Sequence, residues 1–150
     1  MLTRRRKVPA GIRILPDGSW HVDEQPVAHA ATLKHFKQRL QFDDAGAFMI
    51  DAGRRVDVEV NGPAFEVLRL EPTPDGQGMR AVLDDGSEER LGEHSLSMSH
   101  DTARFECVTR QGRARALLSR TAHNVLLDHA ETADGRFFLR AGDQLIPIRT

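Results

Sequence analysis

The chain has one cysteine, one tryptophan and no tyrosine among its 150 residues. A lone Cys107 excludes an intramolecular disulfide and a cysteine-rich zinc site, and it suits a reducing cytoplasm, the expected location. Long apolar runs are missing: none approaches the roughly 20 residues that span a bilayer, so no membrane association is expected. The opening "MLTRRRKVPAG" is basic but no apolar stretch follows it, so it does not read as a secretory signal. Neither sign of charge dominates, with 21 Lys and Arg against 22 Asp and Glu. The sequence also has no HExxH, no GxSxG elbow, no P-loop and no GxGxxG after a strand. It names no reaction and asks for no cofactor.

What is present describes an ordinary soluble domain. The hydrophobic fraction is 39% and the charged fraction 29%. A chain of this length buries roughly 70% of its unfolded surface and needs no staple. Arg4, Arg5, Arg6 and Lys7 stand in a row, so residues 1–10 read as a flexible basic tail. The remainder is acidic. Four phosphate contacts give weak, salt-sensitive binding, and an acidic body opposes even that, so nucleic acid is an improbable partner on these grounds.

Two stretches echo each other. "AGAFMIDAGRRVDVEV" runs from Ala45 to Val60 and "DGRFFLRAGDQLIPI" from Asp134 to Ile148. Aligned, Gly46 falls on Gly135, Phe48 on Phe137, Ile50 on Leu139, Gly53 on Gly142 and Val56 on Leu145. Each reads as a hairpin, and each follows a helix. The first helix is expected over 28–41, where Leu33, Phe36 and Leu40 share a face. The second has Ala122, Val125, Leu126 and His129 on one face and Ser119 as its N-cap. Each helix is preceded by a strand pair, turning at Asp17-Gly18 and at Gln111-Gly112. Between the halves, 56–98 alternates apolar and polar residues as a meander does. The expected fold is therefore α+β: two repeated β-hairpin/helix/β-hairpin modules joined by an antiparallel β-meander. The boundaries fall at 11–62 for the N-terminal module and 63–150 for the meander plus the C-terminal module.

In order and spacing, "PDGSWHVDEQPVAHAATLKHF", "DVEVNGPAFEVLRL", "VTRQGRARALLSRTAHNVL" and "GRFFLRAG" resemble the bacterial family known as domain of unknown function 1285. The likeness covers about residues 12 to 148. It implies a two-module α+β fold with repeated motifs, no known activity, and a signalling or interaction role suggested on structural grounds. The chain departs from the family pattern at four places. His29 stands where the family tends to have Arg, and His21 where it favours an aromatic residue. "DAGRR" replaces a Thr-Pro-x-Glu-Lys turn, and no tyrosine stands near His123 or Asn124.

His29 and His35, His94 and His100, and His123 and His129 are each six apart. Six residues turn a helix by about 240° and extend a strand by about 20 Å, so no pair is spaced to share a metal. Ser99, His100 and Asp101 are consecutive, whereas triads form by spatial convergence. Cys107 alternates with Phe105 and reads as a buried small residue. Asp43-Asp44 and Asp84-Asp85 read as turn formers. Arg110, Arg113, Arg115 and Arg120 form the one constellation suited to an anion, with Arg120 in the first turn of a helix. The competing reading pairs these arginines with meander carboxylates such as Glu88 and Glu89. His29 and Trp20 complete the candidate ligand-binding set, although Trp20 also reads as core.

The expected function is non-enzymatic. It is a small recognition or regulatory module, of the signalling type, that binds a protein partner or an anionic small molecule. The alternative is an enzyme whose site gathers scattered His and Arg residues. The sequence does not choose between monomer and dimer.

Overall fold

The computed structural model describes residues 11–99 and 103–150. The basic run at 4–7 and the His100-Asp101 pair therefore lie outside the described residues.

The described residues begin with three short strands: β1 (Ile12–Ile14), β2 (Trp20–Val22) and β3 (Gln25–Pro26). The β1–β2 turn forms because the Asp17 carboxylate accepts from the Ser19 N–H at 2.9 Å and the Ser19 hydroxyl at 2.6 Å. Gly18 beside it takes a φ of +87°, which costs a glycine nothing. Helix α1 (Ala30–Arg39) follows, then β4 (Gln41–Asp43), β5 (Gly46–Asp51) and β6 (Arg54–Val60). Strand β6 returns to lie parallel to β1, with Ile12 opposite Val58. The six-stranded sheet runs β3-β2-β1-β6-β5-β4.

The remaining strands build a nine-stranded sheet. Its meander is β7 (Phe65–Pro72), β8 (Met79–Leu83) and β9 (Glu88–Arg90). Next come β10 (Leu96–Met98), β11 (Phe105–Thr109) and β12 (Ala114–Leu118), then helix α2 (Arg120–Asp128). The last three strands are β13 (Ala130–Ala133), β14 (Arg136–Ala141) and β15 (Gln144–Arg149). The order is β13-β14-β15-β10-β11-β12-β7-β8-β9. Two joints are parallel, β10 with β15 and β12 with β7, so both sheets are mixed.

The protein is thus mostly β-sheet with two helices, an α+β fold. The meander is narrower than the alternation over 56–98 suggests. Strand β6 leaves it to pair with β1, and β10 leaves it to pair with β11 and β15. Alternating valines favour a strand but do not select its partner. Helix α1 is also shorter than the expected 28–41, because His29 caps it at one end and Leu40 turns extended at the other. Strands β4 and β13, one directly after each helix, were not expected: each offers only three or four mostly exposed residues.

One buried cluster draws on both sheets, from Ile14 and Trp20 in the first to Val67, Leu83, Leu118 and Ile146 in the second. Burying a side chain of this kind stabilises by about 1.5–3 kcal/mol. The two helices join this core in different ways. From α1, Phe36 stacks on Trp20 with centroids 6.3 Å apart, and Lys37 reaches Asp84 after β8. Helix α2 buries Ala122 and Leu126 and packs on β7 and β12. Neither helix is long and apolar enough to cross a membrane.

Candidate functional site

Three of the four sequence-selected arginines are engaged by the protein itself. Arg110 bonds Asp85 and, at 2.8 Å, Glu89, and its guanidinium lies 4.6 Å from the centre of the Phe65 ring. Its backbone is left-handed at φ +53°, as is Gln111 at +57°. Glu89 holds this turn by accepting the Arg110 N–H at 3.2 Å. Here Arg110 does pair with the meander. Arg115 bonds Glu106 at 2.9 Å, and that carboxylate is almost fully buried. Arg113 donates to the Phe42 carbonyl at 3.1 Å and lies 3.4 Å from the exposed Asp44.

Arg110 and Arg113 line a hollow of about 580 Å³ with Leu40, Phe42 and Glu89. Its two guanidiniums already have carboxylate partners, and Glu89 adds a negative wall. An incoming anion would have to displace these contacts.

Arg120 is placed differently. It opens α2 and has no hydrogen-bond or ion-pair partner among the described residues. It lines a second hollow of about 420 Å³ with Arg104, Ser119, His123, Asn124 and Leu127. Among the described residues no carboxylate lines this hollow. Ser119 fixes its geometry. Its N–H donates to the Val67 carbonyl at 2.9 Å, its hydroxyl to the Leu68 carbonyl at 3.0 Å, and that oxygen accepts from the Ala122 N–H at 3.1 Å. The start of α2 is thereby pinned to β7. Arg104 enters from the segment before β11 and donates to the Leu118 carbonyl at 2.5 Å. Glu66 is its carboxylate neighbour, 3.8 Å away. His123 rests against Phe105, with ring centroids 5.1 Å apart.

The other two candidates stand apart from this hollow. His29 is the N-cap of α1, its Nδ1 accepting from the Thr32 N–H at 3.4 Å. Trp20 is 2% exposed and donates its indole N–H to the Ala64 carbonyl at 3.1 Å. The six sequence-selected residues therefore do not converge. Arg110 and Arg113 share one hollow, Arg120 lines another, and Arg115, His29 and Trp20 line neither. Arg104 and His123, which share the hollow with Arg120, were not among the sequence-selected residues. The signal available was faint: an arginine just before a strand and a histidine one helical turn after Arg120.

Cys107 is buried, and its thiol is pushed up to about 12, first by burial and then by the nearby Glu89 and Glu106 carboxylates. It is no nucleophile at neutral pH. Among the described residues no three His, Cys, Asp or Glu side chains gather as a metal would require.

No family profile matches the chain, and no curated protein matches it. Two solved structures do. A DUF1285 family protein from Silicibacter pomeroyi superposes with a TM-score of 0.68 at 21% identity, over 91% of this chain and 78% of that one. A DUF1285 family protein from Shewanella baltica superposes at 0.58 and 17% identity, over 81% of this chain and 92% of that one. The fold is that of DUF1285 family proteins. In this DUF1285 fold, α2 lies on β7 and β12, so its first turn opens where the meander meets the C-terminal strands. The DUF1285 likeness carries the architecture.

Proposed function

We propose that the protein is a recognition or regulatory module that binds an anionic small ligand in the hollow at the start of α2. One observation carries the reading. Among the described residues Arg120 has no hydrogen-bond or ion-pair partner, and the cavity it shares with Arg104 and His123 has no carboxylate in its lining. Guanidinium groups bind carboxylates and phosphates through paired donors, and the first turn of a helix adds unpaired N–H groups and a favourable dipole. The arrangement has no activated nucleophile and no acid–base pair, which favours recognition over catalysis.

The strand order supports a division of labour. Read from β3, the first sheet pairs as β3-β2-β1-β6-β5-β4, and the second contains β12-β11-β10-β15-β14-β13. The connections correspond strand for strand, so we read the two helix-bearing halves as versions of one design. In the first, α1 is tied to the meander through Lys37 and Gln38. In the second, Arg120, His123 and Asn124 of α2 line a cavity.

The test is an NMR titration of the labelled protein with inorganic phosphate and with acetate. The expected result is a shift of the Arg120, His123 and Asn124 amides that weakens with salt and disappears in Arg120→Gln. Unmoved amides at these three residues would overturn the reading.

A protein partner is the second reading. It is favoured by Phe137, a ring left 49% exposed beside Phe138 and Pro147 in a cavity of about 410 Å³. Partner binding lost in Phe137→Ser but kept in Arg120→Gln would favour it.

A further inference from the structure

The hollow at α2 is not lined by polar groups alone. Leu118 and Leu127 share it with Arg104 and Arg120. Leu127 is 52% exposed, the highest value among the exposed large apolar residues of the described chain. A helix of only nine residues has little apolar surface to spare, and this leucine contributes nothing to the core.

The spacing explains what such a residue could meet. Arg120, His123, Asn124 and Leu127 follow the i, i+3, i+4, i+7 rule and form one stripe along α2. The opposite face carries the buried Ala122 and Leu126. At 1.5 Å per residue, the cationic start and the apolar finish of the stripe are roughly 10 Å apart. A bare anion would occupy only the first part and leave Leu127 in water.

From this arrangement we infer that the ligand class is an amphiphilic anion: a carboxylate or phosphate head on Arg120 and Arg104, joined to an alkyl group that covers Leu127. The inference rests on the anion-binding reading above and narrows it. A hydrated cationic ligand is repelled by the two guanidiniums. A small hydrophilic anion gains nothing from the leucines. A medium-length alkyl chain attached to the anion satisfies both ends.

The experiment is a calorimetric and NMR titration with the series acetate, butanoate, hexanoate and octanoate, using inorganic phosphate and octylamine as controls. Affinity is expected to rise about fourfold for each added methylene that is buried. Octylamine is expected not to bind. Leu127 is exposed, so Leu127→Ser leaves the fold intact. That variant should flatten the dependence on chain length while keeping acetate binding, whereas Arg120→Gln should weaken every member of the series. Equal affinity for acetate and octanoate overturns the inference and leaves the anion reading standing. A rise with chain length that neither variant changes overturns it as well, because the alkyl chain then binds elsewhere. Failure of acetate and phosphate to bind at all sinks the anion reading, and octanoate binding that ignores Arg120→Gln would complete that failure.

Discussion

Lys37 of α1 forms an ion pair with Asp84, at the end of β8, and both side chains are largely shielded, at 10% and 18% exposure. Asp84 also accepts the Glu66 N–H at 2.9 Å. The pair ties the helix of the first sheet to the meander of the second. Removing one partner of a shielded pair leaves a charge without its counter-ion. Lys37→Met is expected to lower stability by about 2–3 kcal/mol in urea unfolding. Arg55, bonded to Asp43 and Asp57 but 36% exposed, is the control. Arg55→Gln should cost clearly less than Lys37→Met, because solvent screens its ion pairs, and equal losses would overturn the distinction.

Trp20 is the sole tryptophan and no tyrosine is present, so its fluorescence reports one place in the core. Emission is expected at short wavelength in the folded protein and should move to the red on unfolding. Trp20→Phe keeps an aromatic ring but leaves the Ala64 carbonyl unpaired, and should destabilise by about 1–3 kcal/mol. Water-like emission from the folded protein would refute the placement.

Two glycines are required by close approach. A Cβ on Gly62 would stand 2.0 Å from the Leu15 carbonyl oxygen, and one on Gly142 would stand 2.1 Å from that of Gly76. Both obstacles are backbone. Gly53 has a φ of +77° but open space around it. Alanine at 62 or 142 should therefore cost several-fold more stability than alanine at 53, where about 1 kcal/mol of backbone strain is expected. Thermal melts of the three variants give the ranking, and a Gly62→Ala protein as stable as Gly53→Ala would contradict it.

Cys107 makes a prediction about alkaline pH. Its folded thiol keeps its proton up to about 12, against an ordinary value of 9.0, chiefly because it is buried. The raised value stabilises the fold fully below pH 9. That contribution declines as pH rises from there towards 12, because the unfolded thiol ionises first. Cys107→Ala should flatten this part of the stability profile. The native thiol should also resist aromatic disulfide reagents at neutral pH and react once the chain is unfolded. Rapid labelling of the folded protein would count against the burial.

The local features of this fold were the legible ones. Asp17-Gly18, Ala52-Gly53, Asp85-Gly86 and Gln111-Gly112 all mark turns between strands, and Ser119 caps α2 as its chemistry suggests. Long-range pairing left no such mark. Nothing in Val56, Val58 and Val60 announces that their neighbour is β1, because that choice depends on the whole sheet. Lys37 gives no sign in the sequence of its shielded partner, because a cation on a short helix looks the same whether it meets solvent or a carboxylate far along the chain. Of the candidate site, Arg120 was identified, but its separation from Arg110 and Arg113 depends on which carboxylates those two find in space.

The parallel joints also govern the order in which a growing chain can complete its sheets. Strand β1 must wait for β6, after which the first sheet can close with all its partners in hand. Strand β7 must wait for β12, and β10 for β15. Translation delivers roughly 5–20 residues per second, so these edges stand open for seconds while their partners are still being made. Non-local pairings of this kind also slow folding. During synthesis, the vulnerable edges of this protein are therefore interior strands of the finished sheets, β1, β7 and β10, rather than the strands at their margins.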